Sequence, residues 1–453
     1  MLEPLKGRLS SFRDSRAASL TLQTVQVFLT RSGGMLLGLG LNLALARWLG
    51  ITAYGSYAYV TSWIVILTIP STGMEALVVR ETAIAREQDA PDAIGGFFRW
   101  SLGNTLLVSG ALTLIGLLVF SICANQSVRD MRIAYLLGLA GVPLLSLQIF
   151  AGAIFRGFRR VDLTVFLNEI IMPILMLAWV ALCLFLGIGA SASAAFGGRL
   201  IVLAVILFVY LIFLLKLYPQ WQCMRSPREQ TATWRKSMYS LTLLRSIDTL
   251  MTRLPILILG FLAGPVPVAL FSLSARVAET VVFTFSVVSL TIGPHVAELH
   301  ARRDYPGMQK LISRSTRTIT LWAVPVALVL AVFGHWILGW FGPQFRAGYP
   351  VLLVLIAGKT YDAITGNVGL VMTMGGLERV VARTRAIGLA LIAALCLALV
   401  PWCGALGSAI GCAAALIAWN SILVVQLYRR LGIVTLALWP SRLLPRISGG
   451  DPG

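Results

Sequence analysis

Long apolar runs alternate with short polar gaps along the whole of this 453-residue chain. Crossing a bilayer as a helix takes about 20 mostly apolar residues. On that criterion the pattern predicts twelve spanning helices, near 20–46, 54–71, 98–123, 132–155, 163–187, 194–217, 238–262, 266–292, 317–341, 349–374, 382–401 and 405–428. The first run continues to about Ala46, longer than the 7–15-residue apolar core of a signal peptide, and reads as a retained helix. The longest polar connector in the middle of the chain, Tyr218 to Lys236, carries Pro219 and Pro227 and separates six helices from six.

A weak repeat runs through the two halves. At an offset of 214 residues Leu29-Thr-Arg31-Ser falls on Leu243-Leu-Arg245-Ser, Gly50 on Gly264, Tyr57 on Phe271 and Ala83 on Ala297. Near an offset of 219, Gly157-Phe-Arg-Arg160 falls on Gly376-Leu-Glu-Arg379. Six-helix repeats keep the same orientation, so they are related by an axis along the membrane normal, and a cleft between such lobes suits alternating access. The expected fold is an all-α polytopic membrane protein, a parallel 6+6 repeat around a central cavity. Its parts are an amphipathic cytoplasmic N-terminus (1–19), an N-lobe (20–217), a cytoplasmic linker (218–236), a C-lobe (237–430) and a cytoplasmic tail (431–453).

Composition fixes the class. Apolar residues make up 58% and charged residues 12%, whereas soluble domains carry roughly a quarter charged residues. The net charge of +19 does not point to nucleic acid, because no soluble stretch is long enough to fold into a basic module. Of the 37 Lys and Arg residues, 27 lie in the termini and in every second loop, which places those segments on the cytoplasmic side. The opposite loops hold only Arg47, Arg129, Arg132 and Arg346. The expected location is the bacterial inner membrane, with both termini cytoplasmic.

Topology leaves six cations unexplained inside apolar segments: Arg31, Arg199, Arg245, Arg253, Arg276 and Lys359. Charge at membrane depth is costly and faces a bundle interior or an aqueous cavity. Three of the six have an acid one helical turn later: Arg245 with Asp248, Arg276 with Glu279, Lys359 with Asp362. These pairs either neutralise each other or line a cavity and exchange partners with substrate or protons. Arg199 is close enough to a helix end to snorkel. Arg31 and Arg253 have no acid at helical spacing and are expected to face the cavity, with Asn42 on the same face as Arg31. Glu169, beside Asn168, is the remaining acid at membrane depth, while Glu75 falls near the cytoplasmic interface and reads as solvated. A cavity with more cations than anions favours an anionic ligand, and guanidinium suits phosphate through paired donors. The candidate substrate-binding residues are Arg31, Arg245, Arg253, Arg276 and Lys359. The candidates for proton coupling or charge pairing are Asp248, Glu279, Asp362 and Glu169.

No catalytic constellation, Walker motif, metal-ligand spacing or cysteine framework occurs, so no enzyme activity, cofactor or metal is expected. Five motifs carry a family resemblance over roughly 20–430. They are Arg-Trp-Leu-Gly-Ile-Thr-Ala-Tyr-Gly (47–55), Ala-Leu-Val-Val-Arg-Glu-Thr-Ala (76–83), Ile-Phe-Arg-Gly-Phe-Arg-Arg (154–160), Gly-Pro-His-Val-Ala-Glu-Leu-His (293–300) and Ile-Leu-Gly-Trp-Phe-Gly-Pro-Gln-Phe (337–345). The chain resembles bacterial polysaccharide transporters, the O-antigen and exopolysaccharide flippases of the multidrug/oligosaccharidyl-lipid/polysaccharide superfamily. The resemblance implies two lobes around a solvated cavity and movement of undecaprenyl-pyrophosphate-linked oligosaccharide to the periplasmic leaflet. It implies roles for Arg31, Arg245 and Asp248. Expected partners are the lipid-linked oligosaccharide, membrane lipids and polysaccharide polymerase or export machinery. The Ala-Gly-Pro-Val-Pro start of the eighth helix departs from the family's Gly-x-Tyr pattern. The alternatives are a multidrug/cation antiporter, which needs an acidic cavity, and a membrane polymerase or ligase, which needs a substantial periplasmic loop.

Overall fold

A backbone in hydrocarbon has no water to bond, so each segment must satisfy its own N–H and C=O groups. The computed structural model meets this with helix throughout, over the residues it describes: 3–87, 91–123, 129–217 and 231–436. The linker's 218–230 and the tail's 437–453 lie outside the described residues. In order the helices are α1 (Glu3–Leu67), α2 (Ile69–Glu87), α3 (Pro91–Cys123), α4 (Arg129–Gly157), α5 (Val161–Val165), α6 (Met172–Phe185) and α7 (Ala192–Leu217). The second half holds α8 (Thr231–Ala263), α9 (Pro265–Ala278), α10 (Phe283–Ala301), α11 (Tyr305–Phe341), α12 (Tyr349–Thr365), α13 (Val368–Met374) and α14 (Glu378–Leu431). A π-helical turn, Phe166–Ile171, joins α5 to α6.

Among the described residues nine helices are long and apolar enough to cross a membrane, and a tenth span arises if the bent pair Pro343–Thr365 and Val368–Met374 counts as one. Two of the nine fold back on themselves. A straight 65-residue α1 would run about 100 Å, three times a bilayer core. Instead it breaks at Gly50 (φ 71°, ψ 177°). The Tyr54 hydroxyl then donates to Asn42 Oδ1 at 2.9 Å across the turn. Similarly α14 breaks at Gly404 (φ 53°, ψ −127°), and Gly407 then lies against the backbone of Leu399 and Val400. The helices overrun the predicted ends: α2 continues to Glu87, α10 to Ala301, and α11 begins at Tyr305.

Two local backbone features recur near the offsets of the sequence match. Gly264, which the sequence offset sets on Gly50, adopts φ 83° and ψ −172°, nearly the same conformation. The α4 and α13 ends close with the same pattern of three bonds: Phe158, Arg159 and Arg160 N–H to Ile154, Arg156 and Phe155 C=O, and Gly375, Gly376 and Leu377 N–H to Val371, Thr373 and Met372 C=O. The matching offset there is 217, two less than the sequence match placed it.

In the first half α4 packs against α7, α2 and α3; in the second α14 packs against α8 and α12, and α11 against α12 and α10. The halves meet where α1 touches α9 and α8, and where α2 touches α8. Small residues set that approach. A Cβ on Gly55 would overlap the Pro265 carbonyl, and one on Gly260 would overlap the Tyr59 ring. After α14 the chain turns at Gly432 and lays Ile433, Val434 and Thr435 into the core. The Gln309 amide holds both backbone groups of Val434, accepting from its N–H at 2.8 Å and donating to its C=O at 2.6 Å.

Gly55→Ala should therefore destabilise the protein by about 1–3 kcal/mol, the usual cost of overpacking. Gly103 is the control helix glycine, because a methyl group there would meet nothing within 4 Å. Thermal unfolding in detergent should show a lowered midpoint for Gly55→Ala only, and equal midpoints would refute the close approach.

Candidate functional site

Between the halves lies a cavity of about 1130 Å³. One stripe of α8 forms its wall, Leu241, Arg245, Asp248, Thr252 and Pro255, spaced so that they recur on one helix face. Phe271, Arg276 and Glu279 come from the α9 rod, Lys359 and Asp362 from α12, Glu378, Arg385, Trp419 and Asn420 from α14. The first half contributes Asn42, Leu45, Tyr54, Tyr57, Thr61 and Arg199. Six cations and four acids therefore line the space.

One end is closed. Leu45, Ala46, Trp48 and Leu49 are buried in the same cluster as Val268, Ala269 and Phe271. Arg47 Nε donates to the Trp340 carbonyl at 2.6 Å, and the Tyr54 ring meets Phe345 edge-on at 5.8 Å. By contrast no residue from Thr30 to Ala44 is buried. Beneath the closed end, arginines from both halves converge. Arg253 is within Coulombic reach of Arg276, Glu279 and Arg199. Its Nε is buried without a hydrogen-bond partner. Arg276 is held by Glu279 at 2.9 Å, and Arg199 donates to the Tyr57 hydroxyl at 3.2 Å. Arg276 thus holds the Glu279 carboxylate, with Arg253 near both and Arg199 on the Tyr57 hydroxyl.

Residues 23–300 match the family described as polysaccharide biosynthesis protein. The chain belongs to that family. No curated protein matches the sequence. Solved structures share the fold at low identity. An inward-facing multidrug resistance MATE transporter of the MOP superfamily matches with TM-score 0.73 and 13% identity, covering 86% of this chain and 94% of that one. The lipid II flippase MurJ, in an inward closed conformation, gives TM-score 0.71 and 12% identity, covering 89% and 87%. An outward-facing MATE transporter of the same superfamily gives 0.64 and 13%, covering 90% and 95%. This member of the polysaccharide biosynthesis protein family is thus a multi-pass membrane protein with the fold of transporters and flippases.

Several sequence expectations change. Arg31 does not border the cavity and is not without an acid: its Nε lies 4.0 Å from Glu169 Oε1. That partner comes from another rod, where the π-helical turn sets Glu169 and Asn168 together and Gln148 donates to Asn168 at 2.8 Å. Helical spacing within one segment cannot reveal it. Glu169 likewise does not border the cavity. Arg199 is a cavity residue rather than a snorkelling one. The i, i+3 rule holds for Arg276 and Glu279 but not for Asp248, whose partner is Arg385 at 2.5 Å. Nor does Lys359 bond Asp362, which accepts from Asn420 Nδ2 at 2.7 Å. Arg245, Arg253 and Lys359 make no ion pair among the described residues. Glu75 is not simply solvated, since Arg156 reaches it at 2.8 Å.

Arg385, Glu378, Asn367 and Asn420 escaped the sequence reading. The first two sit at a helix start that the charge bias assigned to the cytoplasmic surface, and the amides carry no charge to draw notice. The Asp248–Arg385 pair is 50% and 40% exposed, so its worth to stability is under about 1 kcal/mol. Asp248→Asn should therefore leave the thermal midpoint nearly unchanged, although it releases a cavity cation. A large loss of stability would show that the pair is structural.

Proposed function

We propose that this chain flips a lipid-linked oligosaccharide across the bacterial inner membrane by alternating access, for surface polysaccharide biosynthesis. The lipid is read as undecaprenyl pyrophosphate. Twelve crossings, in lobes 20–217 and 237–430, place both termini in the cytoplasm. The two fold-backs and the bent pair support that count, and the matched glycines 50 and 264 support the repeat.

One observation carries the reading: arginines from both lobes, Arg199, Arg253 and Arg276, meet beneath the closed end of the cavity with one carboxylate among them. Guanidinium groups bind phosphate oxygens through paired donors, so an anionic diphosphate fits there and a lipophilic cation does not. Because the cluster draws on both lobes, a bound anion favours the arrangement that brings them together. Arg245 and Lys359, without ion pairs among the described residues, extend the positive wall. Asp248, Glu279 and Asp362 hold or exchange these cations. Arg31 and Glu169 act within the N-lobe, as a tie between α1 and the π-helical turn.

The state is inward-open. The Gly50, Gly264 and Gly342 turns lie at the closed end, and the positive-inside bias puts those turns on the periplasmic side.

Transport of a lipid-linked oligosaccharide in reconstituted vesicles tests the reading. Arg253→Gln and Arg276→Gln should each slow it at least about tenfold, the worth of a charged hydrogen bond. Arg31→Gln, at a residue that does not border the cavity and whose 4.0 Å ion pair is one-third exposed, should leave transport within about twofold of wild type and the thermal midpoint nearly unchanged. Wild-type vesicles that move no lipid-linked oligosaccharide under any imposed gradient would end the flippase assignment. Uptake of an organic cation by the same vesicles would favour the antiporter.

A further inference from the structure

Away from Arg199, Arg253 and Arg276, the cavity wall contains a second cluster of different chemistry. It forms where the rod of α12 and α13 breaks. Gly366 (φ 70°, ψ −164°) interrupts the helix, and Asn367 follows at φ −75°, ψ 46°. Asn367 borders the cavity yet is only 3% exposed. Its Oδ1 stands 2.7 Å from the Ser289 hydroxyl, and its Nδ2 has no partner. Ser289 has a second acceptor, the Phe285 carbonyl at 2.6 Å, and a hydroxyl carries one proton. Whichever way the amide is turned, one end binds Ser289 and the other is left unpaired.

A buried amide end without a partner costs about 1–3 kcal/mol, so its retention points to a ligand that supplies the missing bond. Around it the cavity offers Asn420, whose Nδ2 donates to Asp362, and the indole of Trp419. The set combines amides with an aromatic ring; of the charged groups in the same wall, Asp362 accepts from Asn420, and Arg385, whose guanidinium lies beside Gly369, is paired with Asp248. Hydroxyl and acetamido groups both donate and accept, which amides match and arginines do not. An aromatic wall adds apolar contact for the C–H faces of a sugar ring. Ser289 lies thirteen residues beyond Arg276 along its rod, about 20 Å at helical rise, so this cluster is separate from the arginine site.

We infer that the Asn367 break, with Asn420 and Trp419, is a carbohydrate subsite that receives uncharged sugar residues of the head group. The inference rests on the flippase reading and adds a second point of recognition to it. It makes recognition two-part, with the diphosphate held at Arg253 and Arg276 and the sugar at the amides.

Full-length protein in lipid nanodiscs, titrated with two probes, tests it. One probe is a bare polyprenyl diphosphate; the other is the same lipid carrying an oligosaccharide of uncharged hydroxylated and N-acetylated sugars. Wild type should bind the glycosylated lipid about tenfold more tightly, the worth of one or two hydrogen bonds. Asn367→Leu, which keeps the volume and removes both amide ends, should erase that margin and leave bare-lipid affinity unchanged. Ser289→Ala keeps Asn367 and removes its orienting hydroxyl, so it should reduce the margin about threefold and serves where the leucine variant does not fold. Equal wild-type affinity for both lipids, or a margin that survives both substitutions, overturns the subsite while leaving the flippase reading intact. A substitution that weakens both lipids alike also overturns it. Wild type binding neither lipid removes the flippase reading and this inference together.

Discussion

The two halves of the chain come closest where glycines meet a backbone carbonyl and an aromatic ring, and the cavity depends on that approach. Gly55 against Pro265 and Gly260 against Tyr59 let two rods run side by side without intervening Cβ atoms. Gly73 continues the line, with Thr242 filling the space a Cβ there would need. The pairing is antiparallel, and it holds the halves together from the closed end toward the middle. In the neighbouring part of α1 before the Gly50 break, the described side chains are buried only from Leu45 onward. A tight seam beside a parting one produces a space closed at one end.

That space explains where charge is tolerated. An isolated guanidinium in hydrocarbon is costly, and each half meets the cost differently. In the first half Arg31 and Glu169 sit opposite each other between rods, and Arg156 bonds Glu75. In the second half the charges face the cavity, paired across rods or left with capacity. The first-half pairs hold rods in place; the second-half charges are available to a ligand.

The all-helical, membrane-spanning class was legible in the sequence because it follows from solvent and length. The turn at Gly264 was legible too, through its match with Gly50. Pairing was not. Helical spacing reports only partners on the same rod, so Arg276–Glu279 could be read, whereas Asp248–Arg385, separated by 137 residues, could not. Arg31 misled for the same reason. The family motifs gain a physical meaning once folded. Motif 47–55 meets motif 337–345 through Arg47 and Trp340, and through Tyr54 and Phe345. Motif 76–83 meets 154–160 where Gly157 packs on Thr82. Four of the five motifs are thus halves of two contacts.

The segment after α14 has a temporal consequence. Ile433 is fully buried among residues of α10, α11, α13 and α14, and Gln309 clasps the backbone of Val434 beside it. Synthesis runs from the N-terminus, and that clasp is made after every helix it touches. Until then the Gln309 amide and the apolar floor around it stand open, so the C-terminal half passes through the translocon with an unfinished base.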